Sequence, residues 1–249
     1  MVDNSIPNEP EKYRWSQLFV ALPTEDDLER VIKLGRDVNR NGPNQLYLLI
    51  KRAIDILASF LALIVLSPIM LVAGLAIRFE SPGPAIFRQV RVGKKGCLFT
   101  LYKFRGMYID ARERWTKLYE YKYSSEDGRG INFHIKDDPR VTHVAQVLRR
   151  LSIDEFPNFL NVLKGDISLV GPRPQIPEMM KYYGEYKDTI LSIKPGIFSL
   201  PKVMKRDGMD LLETNLYDTW YVHNCSLSLD LYIVLRGIWI VLCRDNIVS

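Results

Sequence analysis

Two adjacent carboxylates, Asp154 and Glu155, lie in the densest polar stretch of the chain, RRLSIDEFPN at residues 149–158. Carboxylates act in enzymes as nucleophiles, as general acids or bases and as metal ligands. Arg149 and Arg150 come directly before the pair and can contact anionic groups. The residue types and their spacing therefore make this stretch a candidate catalytic site.

The same stretch also has a purely structural interpretation. Ser152 and Glu155 have the spacing of a capping box, in which two side chains satisfy backbone groups at the start of a helix. However, Pro157 would then be the fifth helical residue, beyond the first turn where proline is tolerated. A surface ion pair with the arginines is a further alternative. From the residues alone, capping, ion pairing and catalysis all stay open.

Two loops carry cations of the kind that bind phosphate. The sequence GPRP at residues 171–174 fixes a backbone bend with Arg173 on it, and arginine is suited to bidentate phosphate contacts. The sequence YKFR at residues 102–105 predicts a strand with Lys103 and Arg105 on one face and aromatic residues on the other. The sequence has no GxxxxGKS phosphate loop, so a nucleotide would be held mainly by side chains.

An uncharged apolar segment, ILASFLALIVLSPIMLVAGLAI at residues 56–77, is about long enough to cross a bilayer as a helix. Pro68 predicts a kink or break in its middle, and Ser67 could bond to the backbone carbonyl that proline leaves free. Basic residues flank both ends, namely Lys51, Arg52, Arg78, Arg88, Arg91, Lys94 and Lys95. The positive-inside rule favours the cytoplasmic side for both ends. A kinked spanning helix and a helix that enters, breaks and returns both stay open.

Length, composition and charge bound the broad class. The chain has 249 residues, 47% hydrophobic content and a formal net charge of +5, which indicates one domain with an extension and a mild basic excess. That excess is compatible with phosphates or an anionic lipid surface, and the lack of a recognisable nucleic-acid module predicts no nucleic acid partner. Cys97, Cys225 and Cys243 suggest neither a disulfide framework nor a zinc site. The polar N-terminus lacks the features of a signal peptide.

The remaining patterns predict a small α+β domain that is mainly helical. Thr24 and Asp138 are expected to cap helices, and a hairpin is expected around Gly93–Gly96. YIDARERWTKLYEYKY, NFLNVLKGD and PEMMKYYGEYKDTIL predict further helices, whereas SLVGPRPQIP predicts an irregular loop. The terminal SLSLDLYIVLRGIWIVLC predicts an interfacial or buried amphipathic helix. The predicted divisions are residues 1–48 as an N-terminal extension, 49–79 as the membrane helix and 80–249 as a membrane-surface domain.

Several long runs, in order, resemble the bacterial sugar transferases, which are monotopic polyprenyl-phosphate phosphoglycosyl transferases with a re-entrant membrane helix. The resemblance covers about residues 49–243, and its length makes it far more specific than one short motif. The matching runs are KRAIDILAS, LSPIM, SPGPAIFRQVRVGKKG, YKFRGM, KDDPRVT, LRRLSIDEFPNFLNVLKGDISLVGPRP, KPGI and the terminal SLSLDL.

The resemblance implies a location and a reaction. A helix that breaks at Ser67 and Pro68 would return to the cytoplasmic face of the bacterial inner membrane, with the catalytic domain on that face. The family moves a sugar 1-phosphate from a UDP-sugar to undecaprenyl phosphate, releases UMP, and so begins a surface polysaccharide pathway, such as exopolysaccharide or lipopolysaccharide, or a glycoconjugate pathway.

The resemblance also implies roles for particular residues. Asp154 would be the nucleophile that forms a covalent aspartyl-phosphosugar intermediate, and Glu155 would be its partner. Mg²⁺ is the implied cofactor, with both carboxylates as candidate ligands. The implied substrate-binding positions are Lys103, Arg105, Arg149, Arg173, Arg206 and Asp218.

The sequence departs from the family pattern in two places. Gly106 stands where Thr or Ser is usual, and KPGIFSLPKVMKRD replaces the common PGITGLWQVSGR, which leaves the sugar open. An inactive membrane-anchored adaptor on the same scaffold is one alternative, supported by the altered loop at residues 197–205. A single-span protein with a cytoplasmic nucleotide-binding domain is another. The N-terminal extension has no assigned role, and pairing of subunits into a homodimer is one that it could have.

Overall fold

The computed structural model describes residues 22–34, 43–119, 138–204 and 209–243. Within these ranges the fold is mainly helical with small two-stranded sheets, which confirms the predicted α+β class. The helices are α1 (Glu25–Leu34), α2 (Gln45–Glu80), α3 (Ala111–Arg114), α4 (His143–Arg150), α5 (Asn158–Lys164), α6 (Lys187–Ile190), α7 (Leu200–Met204), α8 (Leu211–Asn224) and α9 (Leu227–Cys243). The strands are β1 (Ile86–Val92), β2 (Leu98–Phe104), β3 (Ser168–Val170) and β4 (Gly196–Phe198).

Helix α2 contains the apolar segment, and its helical backbone continues through Ser67 and Pro68. The expected hairpin of helix, break and helix is therefore not confirmed. Proline has no N–H to donate to the carbonyl of Ile64, and the Ser67 hydroxyl donates to that carbonyl at 2.8 Å instead. The predicted bond from Ser67 to a freed carbonyl is thus confirmed, and it helps the helix to continue past a proline.

The middle of α2 presents large apolar side chains to its surroundings. Leu57, Val65 and Leu71 have relative exposures of 64%, 70% and 65%. Among the described helices, α2 alone is long and apolar enough to cross a membrane, judged by length and composition. A contiguous apolar surface of this kind marks a contact with lipid or with another protein. This helix therefore indicates membrane association.

Both ends of α2 are bonded to the globular part of the molecule. Near its start, the Arg52 guanidinium donates to the carbonyls of Val162 and Leu163 at the end of α5, at 2.6 and 2.9 Å. At its last residue, the Glu80 carboxylate accepts from the backbone N–H groups of His143 and Val144 at the start of α4, at 2.6 and 3.0 Å. Each contact pairs a charged side chain with backbone groups that a helix end leaves unsatisfied.

The hairpin predicted around Gly93–Gly96 is confirmed. Strands β1 and β2 pair antiparallel from Ile86 opposite Phe104 to Val92 opposite Leu98. Strands β3 and β4 pair in parallel. Gly171, just after β3, lies so close to Gly196 that a methyl group on either residue would meet backbone atoms of the other segment.

The predicted helix after Asp138 begins later than expected. The N-cap is Thr142, whose hydroxyl accepts from the N–H of Ala145 at 3.2 Å. Asp138 instead forms a largely buried ion pair with Arg140 at 2.7 Å, so its carboxylate does not cap the helix.

Other helix boundaries also differ from the prediction. The stretch predicted as one helix over residues 108–123 has only α3 and the 3-10 turn Thr116–Tyr119 among its described residues. The predicted helix at 177–191 consists mainly of 3-10 turns, and the predicted irregular loop before it contains β3. The prediction of α5 is confirmed, and Gly165 ends it with a φ of 90°.

The main core lies between the helices that follow the hairpin and includes the fully buried Tyr183, Leu200, Tyr221 and Ile233. Helix α8 is central to this core and was not predicted. Its start is a capping box, because Asp210 accepts from the N–H of Glu213 at 2.8 Å and Glu213 accepts in return at 3.3 Å. Thr24 caps α1 as predicted, and Val31 of α1 is buried in the same core.

Helix α9 confirms the prediction of a terminal helix with one buried face. Leu229 and Ile233 are buried, whereas Leu231, Leu235 and Leu242 are exposed. Contact between this exposed face and a membrane surface stays a prediction. The division of the chain at residues 48 and 79 also stays a prediction.

Candidate active site

Asp154 and Glu155, here called the carboxylate pair, lie on a 3-10 turn between α4 and α5. The residue before this turn, Ser152, has a left-handed backbone with a φ of 54°, a conformation that non-glycine residues seldom adopt. The side chain of Ser152 makes no capping hydrogen bond. The capping-box interpretation of Ser152 and Glu155 is therefore wrong, and the Glu155 carboxylate is used elsewhere.

The partner of Glu155 is Lys202, whose ammonium lies 2.7 Å from Glu155 Oε2. The two side chains are 31% and 27% exposed, so the ion pair is reachable from solvent. Burial opposes ionisation of Glu155, but the Lys202 ammonium outweighs it and holds the pKa of this carboxyl below its usual range. Burial, and then the charge of Glu155, raise the pKa of Asp154. The negative charge of Glu155 therefore opposes ionisation of Asp154.

Two cations of the hairpin interact electrostatically with the carboxylate pair. The register places Arg91 opposite Phe99 and Lys103 opposite Phe87, and alternation along the strands then puts Arg91 and Lys103 on one face. Burial and the charge of Arg91 lower the pKa of Lys103 to about 8, while the charges of the carboxylate pair oppose that shift. Lys103 therefore interacts electrostatically with the carboxylate pair, and its role in substrate binding stays a prediction.

Arg91 is a site residue that the sequence analysis missed, because it was counted only among the basic flanks of the membrane segment. Its guanidinium donates to the carbonyl of Pro174 at 3.0 Å and to Gln89 at 2.7 Å, so it holds the GPRP loop against the hairpin. Its buried Nε has no hydrogen-bond partner. Burial and the charge of Arg173 lower the pKa of Arg91 to about 10. The hairpin register was the signal that could have found it.

Arg149 joins the cluster from the last turn of α4. Its charge acts on both Asp154 and Lys103. A β-carbon built on Gly106 would lie only 2.8 Å from Arg149 Nη2. The glycine that departs from the family pattern therefore leaves the space in which this guanidinium lies.

Arg173 joins the cluster from the GPRP loop, and its charge acts on both Glu155 and Arg91. Two backbone bonds fix the loop to the segment around β4, from Gly171 to the Phe198 carbonyl at 3.0 Å and from Gly196 to the Pro172 carbonyl at 2.9 Å. The loop is therefore held in place by backbone contacts.

The side chain of Asp218 is buried against the GPRP loop and is not exposed beside the carboxylate pair. It is 1% exposed, and its Oδ2 accepts from the N–H of Arg173 at 3.3 Å. Burial raises the pKa of Asp218 to about 8, against the opposing effects of Arg173. At neutral pH this carboxyl is therefore mostly protonated, which suits a loop support better than a charged substrate contact.

Two other residues predicted to bind substrate are Arg105 and Arg206, and the structure describes the first of them. Arg105 is 6% exposed and donates to the carbonyls of Pro82 and Ser81 at 2.6 Å each, so its guanidinium binds the segment that directly follows α2. A further bond, from Arg105 Nη2 to the carbonyl of Ile77 at 3.3 Å, satisfies a carbonyl in the last turn of α2, so this guanidinium is used by the end of α2 and the residues after it. Arg206 lies outside the described residues.

The donor groups at the site restrict how it could hold a metal. Within the described residues, no cluster of three Asp, Glu, His or Cys side chains could bind a metal ion. Asp154 and Glu155 supply carboxylates, but Lys202 already contacts one oxygen of Glu155. Mg²⁺ commonly binds through one or two carboxylates and completes its shell with phosphates and water. The residues therefore fit a Mg²⁺ ion shared with a diphosphate, and not one held by protein groups alone.

A carboxylate pair surrounded by cations is the arrangement expected of a site that binds phosphate groups and transfers one of them. Comparison with known proteins agrees with this class. A sequence model of the bacterial sugar transferase family matches residues 46–244. The chain belongs to this family.

Three relatives illustrate the family. The undecaprenyl-phosphate galactose phosphotransferase of Salmonella typhimurium is 38% identical over 197 residues, which cover 79% of this chain and 41% of that protein. The UDP-N-acetylgalactosamine-undecaprenyl-phosphate N-acetylgalactosaminephosphotransferase of Aeromonas hydrophila is 37% identical, over 80% of this chain and 45% of its own length. The UDP-glucose:undecaprenyl-phosphate glucose-1-phosphate transferase of Caulobacter vibrioides is 38% identical, over 79% of this chain and 71% of its own length.

The chain spans less than half the length of the first two of these relatives. The names of the three proteins specify galactose, N-acetylgalactosamine and glucose. Since identity to all three is nearly the same, overall similarity does not select a sugar for this chain.

Proposed function

We propose that this chain transfers a sugar 1-phosphate from a UDP-sugar to undecaprenyl phosphate, giving undecaprenyl-diphosphate-sugar and UMP at the start of a surface polysaccharide or glycoconjugate pathway. The observation that carries the proposal is the carboxylate pair and the cations that surround it. These cations are Arg91, Lys103, Arg149, Arg173 and Lys202. A diphosphate would bring the negative charge that this surplus of cations favours. Family membership and the printed names of the relatives point to the same chemistry.

In the proposed reaction, Asp154 is the nucleophile. One carboxylate oxygen attacks the phosphorus that bears the sugar, the bond from that phosphorus to the bridging oxygen breaks, and UMP leaves with the electron pair. A phosphate oxygen of undecaprenyl phosphate then attacks the same phosphorus, and the bond to Asp154 breaks. The carboxylate is regenerated, so one difficult transfer is divided into two.

The surrounding residues have separate roles in this proposal. Lys103, Arg149 and Arg173 bind the diphosphate and neutralise charge that develops on its oxygens. Arg91 keeps the GPRP loop, and with it Arg173, against the hairpin. When bound with the donor, Mg²⁺ would be held by the carboxylate pair and would add positive charge at the diphosphate.

The membrane lipid substrate requires a site at the bilayer surface. Contacts from both ends of α2 reach the same globular body, through Arg52 at α5 and Glu80 at α4. If that body lies on one side of the membrane, both ends of α2 lie on that side too. We therefore propose that α2 enters the bilayer and returns, with Pro68 near the deepest point and the catalytic part on the cytoplasmic face. The exposed face of α9 would rest at the lipid surface.

The function is tested by giving the purified full chain, in lipid nanodiscs, a panel of UDP-sugars with undecaprenyl phosphate and Mg²⁺. We expect UMP release with one or a few of the sugars. With the accepted UDP-sugar and no lipid acceptor, the peptide that contains Asp154 should gain the mass of one sugar phosphate. Failure of every UDP-sugar to yield UMP would favour the adaptor alternative.

The topology is tested with single cysteines in a chain whose native Cys97, Cys225 and Cys243 are replaced by serine. Cysteines at Gln45 and Arg88 should both resist a membrane-impermeant reagent in intact cells and react after permeabilisation. Labelling of the residue 45 site in intact cells would support the single-span alternative instead.

A further inference from the structure

Lys202 lies in the segment where the sequence departs most from the family pattern. It is on α7, between Leu200 and Val203, which are 1% and 4% exposed. These buried neighbours fix the backbone that carries the lysine. The ammonium group is therefore presented to Glu155 by a packed helix rather than by a free loop.

The ion pair occupies one of the two oxygens through which Glu155 could bind a metal ion. Lys202 Nζ lies 2.7 Å from Glu155 Oε2, and a divalent cation that is bound to the same oxygen would meet the ammonium at close range. The ammonium and the metal ion are both positive, so they repel each other at close range. Partial exposure of the site to water weakens this repulsion. Lys103 and Arg173 add further positive charge near Glu155.

We propose that Lys202 is a positioning residue that keeps Glu155 from binding a divalent cation until a diphosphate donor arrives. This inference rests on the proposed function. In the free enzyme the ammonium is the counter-ion of Glu155. A donor diphosphate supplies negative charge that compensates both the ammonium and a metal ion, so the metal and the donor bind together. Lys202 thereby prevents the metal ion from binding before the donor, whereas the carboxylate pair without Lys202 could bind the metal ion first.

The test measures binding of Mn²⁺ to the full chain in nanodiscs without any substrate, by electron paramagnetic resonance of the free ion. Lys202→Gln keeps much of the side-chain length and removes the charge, so the variant should bind Mn²⁺ about fivefold more tightly than the wild type, the scale of a partly exposed ion pair. Lys202→Arg keeps the charge and should bind Mn²⁺ like the wild type.

Two further variants make the result specific. Lys164→Gln removes the same charge from an exposed lysine that contacts the Tyr102 hydroxyl at 2.9 Å, and it should not change Mn²⁺ affinity. In a Glu155→Gln background, adding Lys202→Gln should bring no gain. Circular dichroism tests whether each variant is folded. If Lys202→Gln does not fold, Lys202→Met, which also removes the charge, takes its place.

The inference would be overturned if the folded Lys202→Gln variant, or Lys202→Met in its place, bound Mn²⁺ with unchanged or lower affinity. An equal gain in Mn²⁺ affinity from Lys164→Gln would also overturn it. Because the measurement needs no substrate, its failure is separate from failure of the proposed function. A wild type that releases UMP normally, with no gain in Mn²⁺ affinity on loss of Lys202, would overturn this inference alone.

Discussion

The carboxylate pair and a second group of residues around Asp230 both combine carboxylates with cations, and they differ in how completely the carboxylate oxygens are bonded. In the second group, Asp230 of α9 accepts from Lys51 at 2.6 Å, from Tyr47 at 2.9 Å and from Tyr221 at 2.5 Å. The side chains of Lys51 and Asp230 are each 11% exposed. This cluster, here called the Asp230 cluster, joins α2, α8 and α9 and has matched charges.

The carboxylate pair is different. Lys202 contacts one oxygen of Glu155, while further cations lie around the pair without bonding to it directly. The site is partly exposed and carries a surplus of positive charge. A saturated, buried cluster stabilises the fold, whereas an open cluster with surplus charge is suited to an anionic ligand.

The largest expected effect is loss of turnover in Asp154→Asn. An amide cannot form the bond to phosphorus, so UMP release should fall by about a thousandfold or more. The melting temperature should change little, because the variant has almost the same shape. An active Asp154→Asn enzyme would contradict the covalent mechanism and the assignment of the carboxylate pair to the reaction.

Asp230→Asn should show the opposite behaviour. Removing one partner of a buried ion pair leaves Lys51 without its counter-charge, which typically costs about 3 kcal/mol. The melting temperature in detergent should fall by about 5–10 °C. Turnover per folded molecule, measured well below the transition, should stay close to that of the wild type. A strong loss of turnover without loss of stability would assign the Asp230 cluster a role in the reaction.

Arg173→Ala should weaken use of the donor. A guanidinium that contacts phosphate is hard to replace, so the KM for the UDP-sugar should rise about tenfold or more, with partial rescue in Arg173→Lys. Arg112→Ala, at an exposed arginine of α3, is the matched control and should behave like the wild type. Equal kinetics in Arg173→Ala and the wild type would leave the GPRP loop a structural role only.

Donor binding should weaken as pH rises. Burial and the charge of Arg91 lower the pKa of Lys103 to about 8, so its ammonium is mostly present at pH 7 and mostly lost at pH 9. The KM for the UDP-sugar should therefore increase several-fold over this interval. Lys103→Arg keeps its charge in this range and should remove most of the increase. A pH dependence that is identical in Lys103→Arg would assign it to another group.

The smallest effect is expected for Asp218→Asn. Since burial raises the pKa of Asp218 to about 8, the side chain is mostly neutral at pH 7 and an amide resembles it closely. The amide oxygen can still accept from the N–H of Arg173. Turnover at pH 7 should therefore change by less than about twofold. A large loss would show that the charged form of Asp218 takes part in the site.

The features that were predicted correctly depend on residues that are close together in the sequence. The hairpin around Gly93–Gly96, the end of α5 at Gly165 and the bond from Ser67 to a freed carbonyl all follow from local backbone chemistry. The cap of α4 was assigned wrongly because Asp138 and Thr142 both suit an N-cap, and only the ion pair with Arg140 decides between them. Local patterns do not carry that information.

The parts of the site that were missed depend on distant contacts. Arg91 belongs to the site because of the pairing register of two strands, and Lys202 because β4 and α7 bring a distant segment to Glu155. Arg105 was predicted to bind substrate, but the end of α2 uses its guanidinium. In each case the residue type was informative, and its location required the tertiary fold.

Helix α2 is hydrogen-bonded to both of the helices that flank the carboxylate pair. Arg52 binds the C-terminal end of α5, and Glu80 binds the N-terminal end of α4. The turn that carries the carboxylate pair lies between these two helices. Helix α2 therefore connects the two helices on either side of the turn that carries the carboxylate pair. Deleting it to obtain a soluble enzyme would release both sides of the turn, so turnover should be lost even where the rest stays folded. If α2 lies in the bilayer as proposed, a membrane thickness that changes the bend of α2 should also change the spacing of the residues on this turn, and turnover should then depend on lipid chain length.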